Sequence, residues 1–141
     1  MSNKSRGNEL ERDVAEYLYA HGFWVHRLQQ NADGQPADII AVNNGKAVLI
    51  DCKQCDRRVF RKSRIEENQQ QAMKLWEETG NGEGWFAVRF GDEGVVYMVS
   101  SQTFDRAEQE CMNQDWFEHT CADIGIWMEA WRDVVNARYH F

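Results

Sequence analysis

Two apolar runs joined by Asn43-Asn44-Gly45 constrain this chain more than any other feature. The segment reads Pro36-Ala37-Asp38-Ile39-Ile40-Ala41-Val42, then the turn, then Lys46-Ala47-Val48-Leu49-Ile50-Asp51-Cys52-Lys53. Asn and Gly tolerate the positive φ that a tight hairpin demands, so the two runs are expected to pair as antiparallel strands. Pro36 favours extended backbone before it and suits a strand entry. Alternation puts Val48, Ile50 and Cys52 on one face and Leu49, Asp51 and Lys53 on the other. Asp51 and Lys53 then lie about 7 Å apart along one face. Asp38 opens the partner strand, so two carboxylates and an ammonium can converge.

The rest of the chain places this hairpin in a mixed α/β domain. Leu10, Val14, Tyr17 and Leu18 recur at helical spacing over residues 8–20, and His21-Gly22 closes that helix. Residues 23–28 read as a strand, 29–35 as a polar loop and 55–63 as a basic connector. A second helix is expected over 65–78, with Ile65, Gln69, Ala72, Met73 and Trp76 on one side. Thr79-Gly80-Asn81-Gly82-Glu83-Gly84 breaks it, and strands follow at 85–90 and 95–99. The order α, β, β, β, α, β, β implies a mixed sheet with helices packed on it. Residues 104–112 read as helical, and Trp127, Ala130, Trp131, Val134 and Val135 suit a final amphipathic helix. The expected division is a core over 1–100 and an aromatic-rich extension over 101–141, docked on the core or on a second subunit.

Charge is distributed unevenly. The net charge of −7 argues against a polyanionic partner only on average. Residues 1–64 carry 11 Lys and Arg against 8 Asp and Glu, whereas residues 65–141 carry 5 against 15. Arg57, Arg58, Arg61, Lys62 and Arg64 follow Lys53 closely, opposed only by Asp56. Local fields rather than net charge attract phosphate, so this connector is the candidate nucleic-acid surface. No apolar run approaches the roughly 18 residues of a membrane span, and the N-terminus lacks an apolar signal stretch. A cytoplasmic protein without membrane contact is expected.

The cysteines carry less information. Cys52-Lys53-Gln54-Cys55 has redox spacing, but Cys52 sits within a strand rather than at a helix N-terminus. Cys111 and Cys121 are not the second close pair that a four-Cys zinc site needs. Reduced, buried thiols are expected. An oxygen-only group of Asp38 and Asp51 beside Lys53 suits a hard divalent cation and phosphodiester hydrolysis.

Four ordered motifs together resemble the PD-(D/E)xK nuclease superfamily, and within it the archaeal- and phage-type Holliday-junction resolvases. They are Gly7-Asn8-Glu9-Leu10-Glu11-Arg12, Gln35-Pro36-Ala37-Asp38, Leu49-Ile50-Asp51-Cys52-Lys53 and Asn68-Gln69-Gln70-Gln71-Ala72. The likeness spans about residues 6–100. Two departures stand out: Ala37 separates Pro36 from Asp38, and Asp51 stands where many resolvases have Glu. The resemblance implies a restriction-endonuclease-like αβββαβ core with a mixed central sheet flanked by helices, plus a C-terminal helical tail. It implies metal binding, Mg²⁺ or Mn²⁺, by Glu11, Asp38 and Asp51 with help from the Cys52 carbonyl. Glu9 is the alternative to Glu11. Lys53 would position or polarise water, and Gln69 would support Lys53 or a phosphate. It further implies a homodimer cutting branched DNA, in recombination or repair. Two alternatives remain: a restriction, repair or flap-type nuclease, and a catalytically silent nuclease-like DNA-binding module.

Overall fold

The computed structural model describes residues 3–29, 36–92 and 94–139. The hairpin forms as its turn chemistry requires. β2 (Ile39–Asn43) and β3 (Lys46–Cys55) pair antiparallel across Asn44 and Gly45, whose φ angles are 49° and 77°. Both positive values define a tight turn of the kind that matches strand twist.

Around this hairpin a six-stranded mixed sheet assembles in the order β1-β2-β3-β5-β6-β8. It contains β1 (Trp24–Arg27), β5 (Trp85–Phe90), β6 (Val96–Ser100) and β8 (Ala122–Asp123). Only β3 and β5 run parallel, joined through α2 (Glu67–Trp76), and the remaining pairs are antiparallel. The expected αβββαβ order is present. The polar loop over 30–35, including Gln35 of the proline-aspartate motif, lies outside the described residues, as does residue 93 between β5 and β6.

β3 is central and buried on both faces, so its core residues are consecutive as well as alternating: Val48, Leu49, Ile50 and Asp51 are all buried. One face meets α1 (Asn3–Ala20) and α5 (Ile124–Tyr139) through Leu10, Val14, Leu18, Trp127 and Trp131. The other meets α2, α3 (Ser101–Arg106) and α4 (Gln114–Thr120) through Leu49, Met73, Phe104 and Phe117. Each large apolar side chain buried this way contributes about 1.5–3 kcal/mol before entropy is counted.

The segment after residue 100 differs from its sequence reading in detail. The helix expected over 104–112 is α3, which starts at Ser101 on an N-cap from the Ser100 hydroxyl and ends at Arg106. Residues Cys111–Asn113 are instead a strand, β7, and α4 follows on an Asn113 cap. β7 pairs antiparallel with β4 (Val59–Arg61), which lies inside the basic connector. Phe60 and Met112 face each other in that ladder and are both buried. A partner about fifty positions away leaves no local signal in a three-residue strand. The tail tryptophans Trp127 and Trp131 are core residues, and among the described residues the exposed aromatics are Tyr19 and Trp24. The side chains of Val134 and Val135 lie outside the described residues.

Candidate active site

β3 outruns β2 at its C-terminal end, and that mismatch builds the site. The last antiparallel pair is Ile39 with Ile50, and the Asp38 amide still donates to the Ile50 carbonyl at 3.0 Å. Beyond it, among the described residues, no strand pairs with the β2-facing edge of β3. The Asp38 carboxylate fills the gap by accepting from the Cys52 amide at 2.7 Å. A residue's N–H and C=O point to the same side of its strand. The Cys52 carbonyl therefore faces the same open edge.

On the α2 face, Asp51 and Lys53 project side by side as alternation demands. Lys53 Nζ lies 3.2 Å from Asp51 Oδ2 and donates to Gln69 Oε1 at 2.9 Å. Gln69 Nε2 reaches Asp51 Oδ1 at 3.4 Å. Gln69 is held in place by the helix start: Glu66 and Gln69 form a capping box, in which Gln69 Oε1 also accepts from the Glu66 amide at 3.1 Å. The helix cap and the site thus share one side chain.

Electrostatics mark the same place. Burial pushes the Asp51 carboxyl up to about 8, against the pull of Lys53 and with further repulsion from Asp38. Its Oδ2 atom is buried and makes no directional hydrogen bond despite the nearby ammonium. Burial followed by repulsion from Asp38 also raises Glu11. Cys52 is driven well up by burial first, then by Asp38, Asp51 and Glu11, so it is a neutral thiol.

The Glu11 and Asp51 carboxyls, both raised in part by Asp38, lie near a peptide carbonyl on the strand edge, a donor set that suits a hard oxygen-seeking cation. Among the described residues, no three His, Cys, Asp or Glu side chains stand preassembled around one ion position. The reason is visible in the partners: Asp38 is occupied by the Cys52 amide, and Glu11 by Arg27 Nε at 3.1 Å. Of the two helix-1 acids left open by sequence, Glu11 is the one beside Asp38 and Arg27.

The basic connector opens from this site. A cleft of about 580 Å³ is lined by Gly7, Lys53, Asp56, Arg57, Arg61 and Arg64. Arg57, Arg58, Arg61 and Arg64 are exposed, whereas Lys62 is half-buried, with its ammonium on the Ala107 carbonyl at 2.7 Å. Arg64 stacks over Phe60, its guanidinium carbon 5.2 Å from the ring centre. Asp56, the acid opposing the cluster, is paired with Arg6 at 2.9 Å, and Arg6 also pairs with Asp92. The cluster's field is thus less reduced than the sequence suggests.

Two supporting groups went unnoticed in the sequence. Arg27, ending β1, orients Glu11, and its only signal was an arginine closing an aromatic strand. Arg89 is buried on β5 and bonds Asp13 at 2.9 Å and Gln54 at 3.0 Å. It ties α1 to β3, and nothing in the run Trp85–Phe90 announces that partner set.

Comparison with known proteins bears on the family and the fold. The curated relative "Crossover junction endodeoxyribonuclease Hjc" of Sulfurisphaera tokodaii is 34% identical over 92 residues. That match covers 62% of this chain and 62% of the relative, so the chain spans about three fifths of the relative's length. The solved structure of Archaeoglobus fulgidus Hjc, described as a Holliday junction resolvase from an archaeal hyperthermophile, superimposes with a TM-score of 0.68. It is 17% identical, and the superposition covers 86% of this chain and 99% of that one, which establishes the shared fold. The family model described as archaeal Holliday junction resolvase (Hjc) matches residues 2–124, well past the residues that carried the resemblance in sequence. The chain belongs to the archaeal Holliday junction resolvase family, within the PD-(D/E)xK nuclease superfamily.

Proposed function

We propose that this protein is a metal-dependent endodeoxyribonuclease that hydrolyses phosphodiester bonds in four-way DNA junctions and works as a homodimer. The observation that carries this reading is the convergence of Asp38, Asp51, Lys53 and Gln69 at an open strand edge that gives onto an arginine-lined cleft. Glu11, Asp38, Asp51 and the Cys52 carbonyl would hold Mg²⁺ or Mn²⁺. When bound, such an ion makes water a stronger nucleophile and offsets charge on the phosphate.

The chain's own residues do the rest. Gln69 fixes the Lys53 ammonium, so Lys53 can orient water and meet negative charge developing on a phosphoryl oxygen. Arg27 holds Glu11 in line with the open edge. Arg57, Arg58, Arg61 and Arg64 take phosphates flanking the cut, and Arg6 keeps Asp56 from opposing them.

A symmetric cut across a junction needs two sites held in fixed relation, which supports a homodimer. The edge strand β1 carries Trp24, 62% exposed, an apolar side chain that suits contact with a second copy.

The test is cleavage of synthetic junction, flap, duplex and single-stranded DNA with Mg²⁺ and with EDTA. Junction-selective, EDTA-sensitive cutting that Asp38→Asn abolishes while DNA binding persists is the expected result. Preference for flap or duplex DNA would assign the same chemistry to a different substrate, and cutting that survives Asp38→Asn would remove the assignment.

A further inference from the structure

We propose that residues 107–113 of the C-terminal segment are a positioning clamp for the phosphate-facing arginines, and that Lys62 belongs to this clamp rather than to the phosphate-binding set. The proposal rests on the reading that the arginine-lined cleft receives DNA.

The basic connector has little of its own to hold it. β4 is three residues long, and the 3-10 turn Lys62–Arg64 that follows has no side-chain cap from the residue before it. What orders it comes from the segment after α3. Val59, Phe60 and Arg61 pair in register with Asn113, Met112 and Cys111. The Lys62 amide donates to the Glu110 carbonyl at 2.8 Å, and the Ser63 amide donates to the Glu110 carboxylate at 3.0 Å. The Lys62 ammonium donates to the Ala107 carbonyl at 2.7 Å. Beneath them Phe60 is fully buried, with Phe104 and Phe117 at ring distances of 5.6 and 6.0 Å. Arg61 precedes this anchored turn, Arg64 ends it, and both remain exposed. The ammonium of Lys62 is turned inward, onto a peptide carbonyl.

Glu110 makes the proposal decidable by sign. It is an exposed acid bonded to the backbone of the turn that carries Arg64 and follows Arg61, so removing its charge should tighten DNA binding if electrostatics alone matter. As a clamp, its loss frees Lys62–Arg64, and DNA must then order that turn on binding. Binding weakens instead.

The experiment uses the full chain and a synthetic four-way junction across a salt series. Glu110→Ala should raise Kd about threefold to tenfold, the size of one lost capping bond. Glu110→Gln keeps the acceptor and should restore affinity to within about twofold. Lys62→Met should raise Kd without changing the salt slope, whereas Arg57→Gln should reduce the slope by about 0.9. Tighter or unchanged binding by Glu110→Ala, or a slope reduction of about 0.9 in Lys62→Met, overturns the clamp. An unchanged slope in Arg57→Gln would instead count against the DNA-facing reading of the cleft. Hydrogen exchange without DNA separates the two ideas: the Ser63 amide should exchange faster in Glu110→Ala but not in Glu110→Gln. Unchanged exchange there would remove the clamp whatever the cleft binds.

Discussion

Replacing Asp51 by asparagine should stabilise the metal-free protein at pH 8 while ending cleavage. The folded carboxyl titrates at about 8 against a usual 3.8, chiefly because it is buried. A folded value above the unfolded one means that the native state holds the proton more tightly. The contribution is intact below the unfolded value near 3.8 and drains as pH rises to about 8. At about 1.4 kcal/mol per pH unit, the full shift would correspond to about 6 kcal/mol. Side-chain relaxation and water entry reduce such penalties, so a figure on the order of 3 kcal/mol is more realistic. Asparagine keeps an acceptor for Gln69 but turns an amide toward Lys53, which costs about 1 kcal/mol. The net gain at pH 8 is about 2 kcal/mol, or about 6 °C in Tm for a chain of this size. Urea or thermal unfolding of both proteins in EDTA from pH 5 to 8 measures it. The difference curve should widen with pH, and adding Mg²⁺ at pH 8 should stabilise the wild type but not the variant. Parallel curves, or a variant less stable at pH 8, would refute the argument that burial and carboxylate crowding strain this site.

Lys53→Met should lower the single-turnover cleavage rate by two or more orders of magnitude, about the size of losing one charge-stabilising donor, with Mg²⁺ affinity retained; a rate near wild type would remove Lys53 from the chemistry. Neutralising Arg57, Arg58, Arg61 and Arg64 together should reduce the log–log salt slope of junction binding by roughly 3.6, and an unchanged slope would move the DNA surface elsewhere. Arg89→Met should destabilise the fold by about 1–2 kcal/mol in urea titration, because buried Gln54 loses its partner while the half-exposed Asp13 can turn to water, without altering that slope. Light scattering at micromolar concentration should give twice the chain mass, falling to the monomer in Trp24→Glu; a wild-type monomer with and without junction DNA would rule out the dimer.

Much of the site was readable because it is local. The turn residues Asn44 and Gly45 set the pairing of β2 with β3, the period of two put Asp51 and Lys53 on one face, and Pro36 marked where Asp38 enters. Gln69 was legible as part of a glutamine run, although its place in a capping box with Glu66 was not drawn from the sequence. Helix 1 offered two acids, Glu9 and Glu11, and periodicity did not separate them. The choice depends on where Arg27 and Asp38 lie, and both come from other elements.

By itself, then, the sequence determined the elements whose cause lies within a few residues: the hairpin, the amphipathic faces of α1 and α2, the carboxylate and lysine placement, and the basic run. Tertiary structure alone decided what depends on distant partners. The connector became a strand because Met112 covers Phe60, Lys62 turned inward because Ala107 offers a carbonyl, and Asp56 lost its opposing charge to Arg6. The tail tryptophans joined the core because α5 packs beside α1 on the same face of the sheet. Turns, caps and periodicity are short-range and survive in a linear string. Burial and charge pairing depend on which surfaces meet, and those meetings exist only once the chain has closed on itself.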